Sequence, residues 1–138
     1  MTLLVDTSVW SLAFRRDTPP DLPEVAMLRR ALTGQEDVVT MGVIIVELLR
    51  GFLPASARQA LAERFEPVPL LEPTRSDYMA AAGLSNACRQ AGVQLGTIDA
   101  MIAQMAIAND VTLLTTDLDF TNASAHIPLR VWARARTY

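Results

Sequence analysis

The sequence predicts an α/β fold: three α/β/α layers around an open, mostly parallel sheet of four to five strands. Three observations carry that expectation. Short apolar runs of strand length recur at residues 2–5, 37–40, 68–71, 111–115 and 129–132, segments with helical spacing alternate with them, and no internal repeat or linker interrupts the series. The 138 residues, 51% of them hydrophobic, fit one domain spanning 1–138 with a substantial core.

Leu3-Leu4-Val5 runs into Asp6 as a buried strand would, and Thr7 or Ser8 can cap a helix through Val9, Trp10 and Leu12 to Phe14. Residues 17–23 contain three prolines and read as a loop. Val25, Leu28 and Leu32 give residues 24–32 helical spacing, which stops at Gly34, and 37–40 form the second strand. The run Val43–Leu49 fits strand or helix by periodicity, but its continuation through Arg50 and the stop at Gly51 favour a helix, with Glu47 facing inward. Residues 55–65 form an amphipathic helix, 68–71 a third strand between prolines, and 74–91 an alanine-rich helix ended by Gly92. Thr97 is the expected cap of a helix from Ile98 to Ala108; 111–115 and 129–132 are the fourth and fifth strands.

Composition removes several classes of function. No apolar run approaches the roughly 20 residues of a membrane helix, and Met1-Thr2-Leu3 leads straight into a strand without a signal-like segment, so the expected location is cytoplasmic. Cys88 and His126 each stand alone, which excludes an internal disulfide, a multi-cysteine zinc site and a histidine-rich metal site. All 12 basic residues are arginine. Haloacid-dehalogenase-like phosphatases and response-regulator receivers also place acids at strand ends, but they require an active-site lysine. The absence of a GK[ST] loop removes P-loop hydrolysis. The net charge of −3 is unusual for a nucleic-acid enzyme; arginines nevertheless group at Arg15-Arg16, Arg29-Arg30 and Arg130, Arg134, Arg136.

Against that background four acids stand out. Asp6, Glu47, Asp99 and Asp117 each lie within or at the end of an apolar run, where an ionised carboxylate is expensive to desolvate and a divalent cation is an economical partner. Asp6 and Asp117 follow the first and fourth strands, at the carboxyl edge where open α/β sheets gather ligands. Taken singly, any of them reads as a cap or a solvated strand end; Asp99, in a first helical turn, has the strongest such reading. With so little histidine and cysteine, carboxylate oxygens are the available ligands, and they suit Mg2+ or Mn2+.

Val5-Asp6-Thr7-Ser8-Val9-Trp10, Glu47-Leu48-Leu49-Arg50-Gly51, Thr97-Ile98-Asp99-Ala100 and Thr115-Thr116-Asp117-Leu118-Asp119-Phe120 together resemble the four acidic motifs of PIN-domain ribonucleases, specifically the VapC-type toxins of type II toxin–antitoxin pairs. The resemblance covers essentially the whole chain. It implies a metal-dependent endoribonuclease in which Asp6 and Asp99 are the principal ligands of Mg2+ or Mn2+. Glu47 would complete the cluster directly or through water, and Asp117 would complete it or hold a second ion. Thr7, Ser8 and Thr115 match hydroxyl positions that orient water or carboxylates. Asp119 either extends the site or caps the turn before Phe120. The products would carry a 5'-phosphate and a 3'-hydroxyl.

The resemblance also implies a small antitoxin lying across the active-site groove and a homodimer formed through surface helices. Trp10, Leu12, Phe14, Phe52 and Leu53 are candidates for the partner surface, with core burial as the competing reading. Two other functions fit the acids: a non-catalytic RNA- or protein-binding module with a structural cation, and a flap-type DNA nuclease, which normally has a longer chain.

Overall fold

The computed structural model describes residues 1–15, 17–51 and 53–133, and Arg16, Phe52, Arg134 and Arg136 lie outside these. Strand β1 (Thr2–Val5) is central, between β2 (Asp37–Val39) and β3 (Thr112–Leu114), and both pairings are parallel. Leu4 sits opposite Val39 on one side and Leu113 on the other. Leu3, Leu4 and Val5 are all fully buried. Successive strand residues point to opposite faces, so helices must cover both, which is the three-layer arrangement.

Among the described residues the sheet has three strands rather than four to five. The expected third and fifth strands contract to single parallel bridges, Thr40 to Leu70 beyond β2 and Leu113 to Val131 beyond β3. Leu70 has Pro69 before it, and Pro67 and Pro73 close by, so this stretch cannot donate a continuous ladder. Its pairing is limited to Thr40 N–H on Pro69 O at 3.0 Å and Leu71 N–H on Thr40 O at 2.8 Å. Opposite, Leu113 N–H reaches Arg130 O at 2.9 Å and Trp132 N–H reaches Leu113 O at 2.8 Å. All five segments pair, while the outer two stay too short to be strands.

Helix α1 (Thr7–Phe14) follows β1 after the single residue Asp6. Helix α2 (Pro23–Arg30) begins on a proline, whose missing N–H is not needed there, and a wide turn at Ala31–Gln35 leaves helical geometry at Gly34, φ 95°. The ambiguous apolar run is helix α3 (Gly42–Leu49), followed by α4 (Ala55–Phe65). Helix α5 (Arg75–Gln90) packs on α6 (Thr97–Ala108), and α7 (Leu118–Ala123) follows β3. Two expected caps differ. Gly96, not Thr97, precedes α6, and α1 is capped by neither Thr7 nor Ser8, because Asp6 holds the extended cap position and leaves both hydroxyls within the helix.

Trp10 is fully buried, its ring centroid 4.6 Å from that of Phe65 and 5.7 Å from that of Phe14. Leu12, Phe14 and Leu53 pack, partly buried, against the same core. Of the candidates for a partner surface, those described therefore follow the competing reading and serve the interior, whereas Val46, Met79 and Leu118 are the most exposed large apolar side chains among the described residues. No helix among the described residues is long and apolar enough to cross a membrane.

Candidate active site

Parallel pairing of Val5 with Leu114 sets the ends of β1 and β3 side by side, and Asp6 extends the ladder with its N–H on Leu114 O at 2.9 Å. Its backbone carbonyl begins α1, accepting from Val9 N–H at 3.1 Å, while its side chain makes no capping bond. Asp6 as a residue is only 7% exposed, so its carboxylate needs other partners. Two hydroxyls supply them: Ser8 Oγ and Thr115 Oγ1 each donate to Asp6 Oδ2 at 2.9 Å. Each hydroxyl is oriented in turn by a backbone donor, Thr116 N–H to Ser8 Oγ at 3.2 Å and Asp117 N–H to Thr115 Oγ1 at 3.0 Å. With both protons directed at Oδ2, the 3.5 Å separation of the two hydroxyl oxygens is a contact rather than a further bond.

Glu47 projects half-buried from the middle of α3 and accepts from Thr7 Oγ1 through Oε1 at 3.1 Å. Asp117 is the cap of α7, its Oδ1 accepting from Asp119 N–H at 2.9 Å. Asp119 is therefore not the cap. Its carboxylate is exposed and offers one oxygen that, with one each from Asp99 and Asp117, forms a set lying within 4.8 Å of one another.

Asp99 occupies the first turn of α6, where free amides and the helix dipole would by themselves lower its pKa. The opposite occurs. Burial, then the negative charges of Asp6, Asp117, Glu47 and Asp119, push it up to about 6. Asp99 is thus half-buried among acids, and both conditions oppose its ionisation at a helix start that would favour it.

The structure thus assembles every acid singled out in the sequence, with Asp99, Asp117 and Asp119 tightest. Asp6 and Glu47 stand outside that closest set and are connected to it by charge and, for Asp6, through Thr115. No arginine among the described residues forms an ion pair with any of the five. The donors are all oxygen and the negative charge is concentrated, which fits a hard divalent cation. What the sequence could not show is the role of the Thr116 amide, because a backbone donor carries no residue signature. Of the arginine groups, Arg130 is tied to the Asp110 carboxylate and carbonyl, both at 2.9 Å, while Arg29 and Arg30 are exposed at the end of α2.

The PIN domain matches residues 3–125. The chain belongs to the PIN-domain family. Among solved structures, this PIN domain is similar to VapBC2 from Rickettsia felis bound to a DNA fragment from its promoter, with TM-score 0.75 and 18% identity over 96% of this chain and 98% of that one. It is similar also to FitAcB from Neisseria gonorrhoeae, with TM-score 0.67 and 22% identity over 95% and 96% of the two chains. A third similar structure is Mycobacterium tuberculosis VapC20, described as a sarcin–ricin-loop-cleaving toxin, with TM-score 0.66 and 18% identity over 93% and 98%. At these identities the likeness shows the fold. No curated protein matches the chain.

Proposed function

We propose that this PIN domain is a Mg2+- or Mn2+-dependent endoribonuclease, hydrolysing RNA phosphodiester bonds as the toxin of a type II toxin–antitoxin pair in the cytoplasm. The observation that carries the reading is the convergence of five acids at one end of a parallel sheet, where burial and the neighbouring charges raise the Asp99 pKa to about 6, with no described cationic side chain paired to them. Asp6 and Asp99 are the principal ligands, Glu47 and Asp117 complete the cluster, and Asp119 joins Asp99 and Asp117. A bound ion would activate water near neutral pH and neutralise charge on the phosphate and leaving oxygen.

The protein's own residues position these donors. Thr7 fixes Glu47, Ser8 and Thr115 fix Asp6, and Asp117 anchors the start of α7 while keeping its second oxygen. The net charge of −3 becomes compatible with an RNA substrate once a cation neutralises part of the cluster. Likeness to VapBC structures supports an antitoxin partner. A second copy of the chain could cover exposed apolar residues such as Met79 on α5.

Total cellular RNA incubated with the purified, antitoxin-free protein and with Asp6→Asn, under Mg2+, Mn2+ or chelator, tests the proposal. We expect metal-dependent fragments with 5'-phosphates from the wild type and none from the variant. Absence of cleavage by the folded, metal-supplemented wild type would refute the nuclease reading and favour a binding module.

A further inference from the structure

Resting on that reading, the structure points further, to what makes the site discriminate among cations. Asp6 is a buried carboxylate whose two oxygens are treated unequally. Oδ2 accepts two hydroxyl protons, from Ser8 and Thr115, both at 2.9 Å. Oδ1 has no hydrogen bond from any described residue. Both hydroxyls are themselves held by consecutive backbone amides of the segment after β3, those of Thr116 and Asp117. Rotating the carboxylate to offer both oxygens to one ion would break two hydrogen bonds inside a nearly closed environment.

We infer that the Ser8–Thr115 hydroxyl pair is a selectivity device that restricts Asp6 to one-oxygen coordination through Oδ1 and thereby favours small octahedral cations over Ca2+. The physical basis is the difference in coordination. Mg2+ demands near-octahedral geometry at about 2.0–2.1 Å, whereas Ca2+ takes 6–8 oxygens at about 2.3–2.6 Å and readily uses both oxygens of a carboxylate. A carboxylate with one oxygen committed elsewhere suits the first and handicaps the second. Thr115 has an additional role as a positioning residue: the hydroxyl that commits Asp6 Oδ2 also accepts the Asp117 amide, so it fixes two of the acids relative to each other.

Calorimetric titration of Mn2+, Mg2+ and Ca2+ into wild type, Thr115→Val, Thr115→Ser and Ser8→Ala tests the inference without requiring turnover. Wild type should bind Mn2+ more tightly than Ca2+. In Thr115→Val the Mn2+ affinity should fall about tenfold or more, the usual scale for losing a group that orients a ligand, while Ca2+ affinity falls less. The ratio between the ions should therefore shrink, and Thr115→Ser, which keeps the hydroxyl, should restore it. Ser8 is less buried than Thr115, so Ser8→Ala carries the test if Thr115→Val does not fold, and it should shift the ratio in the same direction. An unchanged ratio in folded Thr115→Val or Ser8→Ala, or a wild type that prefers Ca2+, overturns the inference while leaving metal-dependent cleavage standing. A wild type that binds none of the three ions overturns this inference and the proposed function together.

Discussion

Asp99→Asn should make the metal-free protein more stable at neutral pH, and the structure sets the size of the gain. Asp99 ionises at about 6 in the fold against an ordinary 3.8, so its charge is disfavoured by burial and by Asp6, Asp117, Glu47 and Asp119. At about 1.4 kcal/mol for each tenfold change in proton affinity, the ceiling is roughly 3 kcal/mol. The side chain is only partly buried, and solvent screening reduces the expected gain to about 1–2 kcal/mol, or roughly 3–8 °C in Tm for a chain of this length.

The pH dependence follows from which state holds the proton. Between about 4 and 6 the folded protein binds a proton at Asp99 that the unfolded chain has released, so wild-type stability falls as pH rises through that window. Asparagine does not titrate. The advantage of the variant should be absent below about pH 4, grow to about pH 6 and stay level above it, as read by circular-dichroism melts in chelator. Added Mn2+ should reverse the ranking, since a 100-fold excess over Kd stabilises the binding-competent protein by about 2.7 kcal/mol. Equal stability at pH 7.5, or a gain that does not change between pH 4 and 7.5, would refute the electrostatic account of the cluster.

The helix ends provide two further tests. Thr74 caps α5 in a reciprocal arrangement: its hydroxyl accepts from Asp77 N–H at 3.3 Å, and its own N–H donates to the Asp77 carboxylate at 2.9 Å. Thr74→Ala should lower stability by about 1 kcal/mol in chemical denaturation. Bonding to the residue-74 amide, then to Gln104, holds the Asp77 pKa below its ordinary value, and since alanine keeps that amide, wild type and variant should both lose stability as pH falls through the lowered pKa. Glycine-to-alanine changes within this helix and just beyond it should have opposite signs. Gly92 lies at φ 79° with no atom within 4 Å of an added Cβ, so Gly92→Ala should destabilise by roughly 1–2 kcal/mol through the backbone alone. Gly83, exposed within α5 and equally uncrowded, should gain roughly 0.5–1 kcal/mol from the same substitution, and paired melts would expose either sign as wrong.

The central strand and the helices could be read from the sequence where local pattern and local chemistry coincide. Residues 55–65 bear a helical pattern bounded by Pro54 and form α4 over that range, and Gly92 supplies the positive φ just beyond α5. The outer strands could not be read in the same way. An apolar run such as 68–71 records burial and length, but strand status requires successive backbone donors facing a neighbour, and Pro69 removes one of them. Capping showed a related limit: Thr97 has the right side chain, yet the extended φ and ψ needed at the cap, −67° and 169°, belong to Gly96. Residue type proposes a cap, and backbone geometry decides it.

The acids were visible because a carboxylate in an apolar setting demands explanation, and that demand is a local property of sequence. Their organisation is not local. Asp6 and Thr115 are 109 residues apart and meet because the parallel register places Val5 opposite Leu114. Nothing in either motif specifies that register; it follows from which apolar strands share the core. Asp119 was ambiguous for a similar reason, since an acid two residues after Asp117 could cap or coordinate until Asp117 was found to occupy the cap itself. The same register explains how a cluster that repels itself can persist. The cost at Asp99 on α6, about 1–2 kcal/mol from burial and repulsion together, is opposed by the fully buried residues of β1 and β3, which hold the strand ends next to Asp6 and Asp117 together whether or not the acids are neutralised. Rigid strand ends keep the charges close, and that closeness, added to burial, is why the metal-free protein should be less stable than its Asp99→Asn variant.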